Sequence, residues 1–278
     1  MVTGNKILGT LVWLTLEVPG WPGARPGQFA LLQAQDSCCF LGRPLSVAAQ
    51  DGATVSFLIA PVGAGTRELC SLDEGRKVWV VGPLGNGFDL AALTGGPGRL
   101  LIVGGGVGAA PFPLLLDALG AAGHAGASAP RRSEVVVLLG FRDAGQAGGA
   151  EPVLSAASAL DRQGASCSVV IVTEDGSLGP AERVTATLQR EVRGGDRLAV
   201  CGPWAMTEAV AQVIAGVGGV RSWFSLEAGM ACGVGSCHGC ALPLADGGNA
   251  RVCREGPVFT GEALFERGLF SAGAKGER

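Results

Sequence analysis

Apolar and polar positions alternate near the start of the chain and later give way to apolar blocks separated by helical periods. Residues 7–18, Ile7-Leu8-Gly9-Thr10-Leu11-Val12-Trp13-Leu14-Thr15-Leu16-Glu17-Val18, read as one or two short strands that stop at Pro19, which has no N–H for a ladder. Further β-rich segments follow at 28–33, 43–48, 54–59 and 77–81, with glycine and proline turns between them and one helix expected over 66–72. This rhythm predicts a small antiparallel barrel that closes near residue 97. From residue 99 strand and helix alternate: strands at 100–103, 134–139, 168–172 and 197–201, helices at 111–122, 152–160, 181–192 and 207–217. Short buried strands alternating with helices predict a parallel sheet covered on both faces. The low-complexity spacer 124–132 reads as an exposed loop without chemistry, and regular structure thins out after 222–226. The expected organisation is an antiparallel barrel over 1–97, an α/β parallel-sheet domain over 98–224 and a small cysteine-loop domain over 225–278.

Composition narrows the picture. Of 278 residues 47% are hydrophobic and 16% charged, which excludes a disordered polymer. The formal net charge is −3, so no broad positive field attracts a phosphate backbone, and no nucleic-acid partner is expected. The longest apolar runs, 100–103 and 135–139, fall far short of the roughly 18 residues a membrane span needs. The first residues enter a strand pattern directly, without the basic, apolar and small-residue sequence of an export signal, so a cytoplasmic location is expected. Glycine contributes 47 residues without a three-residue period, which fits either close backbone approach to ligands or a general compositional bias. Tyrosine is absent, leaving ring stacking to other side chains.

Nine cysteines are an odd number, and four of them, Cys232, Cys237, Cys240 and Cys253, crowd into 22 residues with the spacing C-x4-C-x2-C-x12-C. A [2Fe–2S] centre needs four thiolates, and Gly233, Gly235 and Gly239 let the chain wrap it with N–H groups facing sulfur. Structural zinc favours two C-x2-C-like pairs, whereas only Cys237 and Cys240 form one. The spacing favours iron–sulfur over zinc, and over unligated or disulfide cysteine. His238 is a loop residue beside the cluster. Cys38 and Cys39, being adjacent, are not expected to converge on one metal, and their default role is packing.

Three more segments carry candidate chemistry. Arg43-Pro44-Leu45-Ser46 ends a barrel strand with an arginine suited to a flavin pyrophosphate and a serine suited to the ring. Gly63-Ala64-Gly65-Thr66-Arg67 has the composition of a strand-to-helix phosphate cradle, and Gly82–Phe88 closes the barrel with a tight glycine turn. Either of the first two is also compatible with an ordinary turn. Gly104-Gly105-Gly106-Val107-Gly108 heads the parallel sheet as a relative of the dinucleotide turn rather than a G-x-G-x-x-G match, before a helix expected from about Ala109. Cys201-Gly202-Pro203 ends another strand; its thiol borders the reacting ring if a nicotinamide faces a flavin there, and is otherwise a core cysteine. Arg142 is placed to meet a 2′-phosphate or to lie in an exposed loop.

Together these residues resemble the electron-transfer subunit family of NAD-dependent dihydroorotate dehydrogenase, a branch of the ferredoxin reductase superfamily. The resemblance covers nearly the whole chain and is most specific in 225–240, Ser225-Leu226-Glu227-Ala228-Gly229-Met230-Ala231-Cys232 through Cys240, and in Val252-Cys253-Arg254-Glu255-Gly256-Pro257-Val258-Phe259. It implies FAD on Arg43, Pro44, Leu45 and Ser46 with Gly65 and Thr66 near its phosphates. It implies NAD between Gly104, Gly105, Gly106, Gly108 and Cys201-Gly202-Pro203, with Thr173–Ser177 beside it, and a [2Fe–2S] cluster on the four clustered cysteines. Leu45 stands where many superfamily members carry tyrosine, and the spacer after His124 is longer than the family's usual link. The resemblance further implies an FMN-containing dihydroorotate dehydrogenase catalytic partner in a heterotetramer with two copies of each chain. Electrons would pass from that FMN through [2Fe–2S] and FAD to NAD+ in pyrimidine biosynthesis. A flavin and iron–sulfur subunit serving a hydrogenase, sulfur reductase or glutamate synthase is the alternative, and a metal-stabilised sensing protein without turnover a third.

Overall fold

A computed structural model describes residues 1–96, 98–124 and 134–265. The expected spacer from residue 125 to 132 lies outside them. The chain opens with a hairpin, β1 (Val2–Leu8) and β2 (Leu11–Glu17), joined at Gly9, whose φ of +64° is the left-handed conformation a tight turn needs. Most of β1 is polar and solvent-facing, so the apolar alternation of the sequence marks β2 and only the end of its partner. Next come β3 (Phe29–Ala34), β4 (Arg43–Ser46), β5 (Ala49–Asp51), β6 (Thr54–Ile59), helix α1 (Ala64–Cys70), β7 (Val78–Leu84) and the short helix α2 (Leu90–Thr94).

These strands form two antiparallel sheets, in the orders β1-β2-β6-β5 and β4-β3-β7. Because side chains alternate along a strand, one set from each faces the same interior: Leu14 and Leu16 of β2, Ala30 and Leu32 of β3, Val55, Phe57 and Ile59 of β6. All seven are completely or almost completely buried. Truncating Phe57 to alanine would cost about 3–5 kcal/mol. The expected antiparallel barrel is thus present, as two facing sheets.

The second half contains β8 (Leu100–Gly105), α3 (Phe112–His124), β9 (Val135–Phe141), α4 (Ala144–Ala147), α5 (Glu151–Arg162), β10 (Cys167–Thr173), α6 (Val184–Glu191), β11 (Arg197–Cys201), α7 (Trp204–Val217) and β12 (Arg221–Ser225). After the cysteine loops come the hairpin β13 (Ala241–Pro243) and β14 (Asn249–Arg251), then β15 (Val258–Thr260) and α8 (Gly261–Phe265). The six-stranded sheet runs β10-β9-β8-β11-β12-β15, parallel except that β15 pairs antiparallel with β12. Its strands bury both faces. Ile102, Val137 and Ala199 pack with α3 and α5, while Leu101, Val103, Val136, Leu198 and Val200 pack with α6 and α7.

Two helices differ from their expected limits for local reasons. α6 begins at Val184 rather than 181, because Ala181 bridges to Thr173 and Glu182 turns back to accept from Thr187 and Arg190. α7 begins at Trp204 rather than 207, because Pro203 supplies the entry geometry. The chain order reverses between β8 and β11, so a crevice opens beyond their carboxyl ends, where open α/β sheets bind ligands. No described helix is long and apolar enough to cross a membrane.

Candidate functional site

The crevice holds a cavity of about 240 Å³ whose walls come from all three parts of the chain. Pro44, Leu45, Ser46 and Thr66 come from the barrel, Val107, Gly108 and Cys201 from the parallel sheet, and Ser225, Glu227, Met230 and Pro257 from the segments around the cysteine loops. β4 presents its residues here because it pairs with β3 in fixed register, Ser46 opposite Phe29 and Leu45 opposite Ala30. Leu45, at the position of the superfamily tyrosine, offers an aliphatic wall.

Arg43 lies at the start of β4 and packs over the first turn of α1. Its Nη2 donates to the Leu41 carbonyl at 2.7 Å, while its Nε is buried without a hydrogen-bond partner. A Cβ on Gly65 would stand 2.8 Å from that Nε, so only glycine lets the guanidinium lie there. Thr66 Oγ1 accepts from the Gly63 N–H at 2.9 Å and closes the turn. A buried, unsatisfied guanidinium N–H beside a helix start suits an anionic group such as the FAD pyrophosphate.

The two glycine-bearing loops of the sheet touch one another. Gly104 and Cys201 are register partners on β8 and β11. A Cβ on Gly108 would meet the Cys201 carbonyl at 2.4 Å and Gly202 Cα at 2.6 Å, and one on Gly105 would meet Met206 Sδ at 2.5 Å. Close approach of the loops therefore requires these glycines whatever lies above them. Gly106, with φ +56°, is the more accessible member. The helix expected near Ala109 starts later: Gly106–Ala109 forms a tighter 3₁₀ turn and α3 follows from Phe112. Gly202 and Pro203 belong to the same loop pair but do not line the cavity. Thr173–Ser177 caps β10, where Asp175 accepts from the Ser177 N–H at 2.9 Å and hydroxyl at 2.6 Å, which hold its carboxyl below the usual range.

Cys201 is buried at the cavity wall. Burial, and then the neighbouring Glu227, push its thiol up to about 12, with Ser225 hydrogen-bonding to it in the opposite sense. A thiol so placed is held toward its neutral form and presents a packing and hydrogen-bonding surface to the cavity. Glu227 keeps exposed surface because it faces the cavity, yet the protein gathered around it raises its carboxyl above the usual range. The motif 225–240 contains Glu227 without marking it as a functional group. The available signal was a single charge within Ser225-Leu226-Glu227-Ala228-Gly229-Met230.

The four clustered cysteines fall into two pairs. Cys240 and Cys253 are buried at the two ends of the β13–β14 hairpin, their sulfurs 3.2 Å apart, and the Cys253 N–H points at Cys240 Sγ. Burial and then Cys240 push the Cys253 thiol up to about 11. Cys232 and Cys237 lie nearer solvent on the loop before the hairpin. The Cys237 N–H donates to Cys232 Sγ at 3.4 Å and the Gly239 N–H to Cys237 Sγ at 3.4 Å. Backbone N–H groups of Cys237 and then Val234 bring the Cys232 thiol down to about 6, favouring the thiolate that binds metal. Gly233, Gly235 and exposed His238 adopt positive φ of 67°, 86° and 59°, which coils the loop so that its N–H groups face sulfur. A mononuclear zinc would draw all four sulfurs within about 3.8 Å of each other. Among the described residues no three of these sulfurs lie within 4.8 Å of one another, so two pairs fit a two-iron centre, with N–H groups aimed at the Cys232, Cys237 and Cys240 sulfurs.

Two barrel elements position this loop. Leu31 of β3 lies against Gly233, where a Cβ would stand 2.7 Å from Leu31 Cδ1, while Phe29 on the same strand lines the cavity. Asn86, in the turn that closes the barrel, donates to the Glu255 and Val258 carbonyls at 2.7 and 2.9 Å and accepts from the Val258 N–H at 3.0 Å.

Cys38 and Cys39, expected to serve packing, lie on the loop before β4. They sit on an irregular turn rather than a strand, so adjacent side chains do not point to opposite faces. Cys38 is exposed, Cys39 half-buried, and their sulfurs and a Glu68 carboxylate oxygen lie within 4.8 Å of one another.

Residues 227–265 match the sequence model of a family described as the iron–sulfur cluster binding domain of dihydroorotate dehydrogenase B. A relative from Listeria monocytogenes serovar 1/2a, named dihydroorotate dehydrogenase B (NAD(+)), electron transfer subunit, is 34% identical over 246 residues, 87% of this chain and 88% of its own. A relative of the same name from Caldanaerobacter subterraneus subsp. tengcongensis is 33% identical over 270 residues, 95% and 96% of the two chains. Among solved structures, an NADH-dependent reduced ferredoxin–NADP oxidoreductase superposes with a TM-score of 0.72 at 28% identity, covering 94% of this chain and 88% of that one. A ferredoxin NADP+ reductase from Neisseria gonorrhoeae with bound FAD and NADP gives 0.62 at 17% identity, covering 78% and 89%.

Proposed function

Because the chain belongs to the family of electron-transfer subunits of NAD-dependent dihydroorotate dehydrogenase B, we propose that the residues gathered at its central cavity link a cluster loop to a nicotinamide crevice. The protein is the electron-transfer subunit of a flavin and iron–sulfur oxidoreductase, serving NAD-dependent oxidation of dihydroorotate in pyrimidine biosynthesis. When bound, the [2Fe–2S] centre moves electrons singly, and FAD converts between single electrons and the hydride exchanged with NAD.

The chain's own residues bind, orient and insulate. Cys232, Cys237, Cys240 and Cys253 hold the cluster, two from the coiled loop and two from the hairpin. Arg43 and Thr66, with Gly65 making room, take the FAD pyrophosphate, while Pro44, Leu45 and Ser46 flank its ring. Gly104–Gly108 and Cys201-Gly202-Pro203 form the two lips of the nicotinamide site, with the neutral Cys201 thiol at the cavity wall. Glu227, its carboxyl easily protonated, is placed to hold or give a proton at the cavity. The catalytic partner carries FMN, and the assembly contains two copies of each chain. NAD is preferred over NADP, and the protein works in the cytoplasm.

The observation that carries this reading is the single cavity bordered at once by the β4 motif, Cys201 and the segment entering the cluster loop. Its test is Cys237→Ser in protein co-expressed with an FMN-containing dihydroorotate dehydrogenase catalytic chain. Iron content should fall and dihydroorotate-dependent NAD+ reduction should stop, while stopped-flow reduction of the bound flavin by NADH persists. Full iron occupancy with normal turnover would refute the ligand assignment, and native mass measurement of the complex tests the stoichiometry.

A further inference from the structure

We propose that Cys38, Cys39 and Glu68 form a binding site for a thiophilic divalent cation of the zinc and cadmium class, separate from the iron–sulfur centre. The two sulfurs and one carboxylate oxygen already lie within 4.8 Å of one another, and theirs is the sole group of three or more such donors found together among the described residues. Donors on one tetrahedral cation, at metal–ligand distances of about 2.0–2.3 Å, stand about 3.3–3.8 Å apart, so the farthest pair need close by no more than about 1.5 Å. Two thiolates and a carboxylate carry three negative charges for one divalent ion, and the soft sulfur donors select zinc or cadmium over magnesium or calcium. Cys38 is exposed, which leaves an entry path and an open fourth position for water.

The donors are held before any cation arrives. Cys38 Sγ stands 2.7 Å from one Glu68 oxygen, Cys38 N–H donates to the same oxygen at 3.3 Å, and the Ser37 hydroxyl donates to the other. Ser37 Oγ in turn accepts from the Cys39 N–H at 3.0 Å, so one side chain positions two of the three ligands. The loop is fixed from below by Gln33, whose Nε2 donates to the Cys39 carbonyl at 2.6 Å, and at its start by Arg76 on Asp36 at 3.0 Å. Outer partners of this kind orient metal ligands. Because Glu68 belongs to α1 and the cysteines to the loop before β4, a bound cation would tie these two elements together. Binding is a property of these three residues and does not depend on the electron-transfer reading.

The test uses anaerobically purified protein loaded with flavin and cluster, so that the C-terminal cysteines are already occupied. Titration with cadmium should saturate at one ion per chain, with an ultraviolet sulfur-to-cadmium charge-transfer band; zinc in large excess should compete with the ion and magnesium in the same excess should not. In a Cys38→Ser and Cys39→Ser double variant the band should vanish while iron and FAD contents stay unchanged, which separates loss of the site from loss of the fold. Glu68→Gln should weaken cadmium binding about tenfold or more, and Ser37→Ala by about 10- to 100-fold. Equal cadmium uptake by the double variant, unchanged affinity in Glu68→Gln, competition by magnesium, or a Cys38–Cys39 disulfide in the anaerobic protein would each overturn the site.

Discussion

Single atoms decide much at the cavity. A methyl group on Gly108 would collide with main-chain atoms of Cys201 and Gly202, which cannot swing aside as a side chain can. Gly108→Ala should therefore cost about 1–3 kcal/mol, read as a lowered unfolding midpoint in protein without nucleotide. A glycine serving only to admit a pyrophosphate would leave that midpoint unchanged. Glu227→Gln tests a different property. The raised carboxyl of Glu227 stays protonated to a higher pH than an ordinary glutamate, so the pH profile of flavin reduction by NADH should show an inflection above the normal carboxylate range that the variant lacks. At this scale the sequence was most legible where chemistry is local. The C-x4-C-x2-C spacing and its glycines lie within a few residues of each other and announce a cluster. Glu227 and the trio of Cys38, Cys39 and Glu68 were not legible, because their partners are brought close only by folding.

Among the elements, the hairpin of β13 and β14 bears the buried cysteine pair and is closed by Arg251 and Glu255. Arg251 Nε donates to Glu255 at 3.0 Å, its Nη1 to the Gly235 carbonyl at 2.9 Å, and its main-chain N–H to Glu255 at 2.8 Å. These contacts, the Arg251 side chain foremost, bring the Glu255 carboxyl down to about 2 from 4.5. A depressed acid stabilises the fold fully above its unfolded value and loses that contribution as pH falls through the folded one. The brace should thus be intact at neutral pH and weaken between about pH 4.5 and 2. Glu255→Gln should release iron faster at pH 7 than the parent protein, followed by chelator-trapped iron, and should be less sensitive to acidification across that window. The continuous apolar blocks of β8 and β11 and the helical period of α5 are readable in the sequence. The three-residue β15 is not, since so short a stretch carries no period and its pairing with β12 depends on a long return of the chain.

Over the whole molecule, the barrel meets the parallel-sheet half through glycines. The turn at Gly9 and Thr10 lands on Gly145 and Gly148, with the Thr10 N–H donating to the Gly145 carbonyl at 2.9 Å. A Cβ on Gly149 would stand 2.4 Å from Leu11 Cδ1. Gly149→Val should part the two halves, lowering the rate of flavin reduction by NADH by on the order of a hundredfold while FAD content is retained; stopped-flow absorbance checks it. The composition gave these glycines no special standing among 47, because nothing local marks a surface that another part of the chain will cover.

One strand joins the two ends of the proposed electron path. Phe29 borders the cavity and Leu31 supports the cluster loop, two residues apart on one face of β3, a step of about 6.6 Å along the strand. β4 pairs with β3 in unbroken register across this step, whereas the β7 ladder on the other side shifts register between the same two residues, so β4 is the neighbour that fixes their spacing. Inserting a single residue between Phe29 and Leu31 would turn every later side chain of β3 to the opposite face, withdrawing Leu31 from the cluster loop and exchanging the strand's two buried sets.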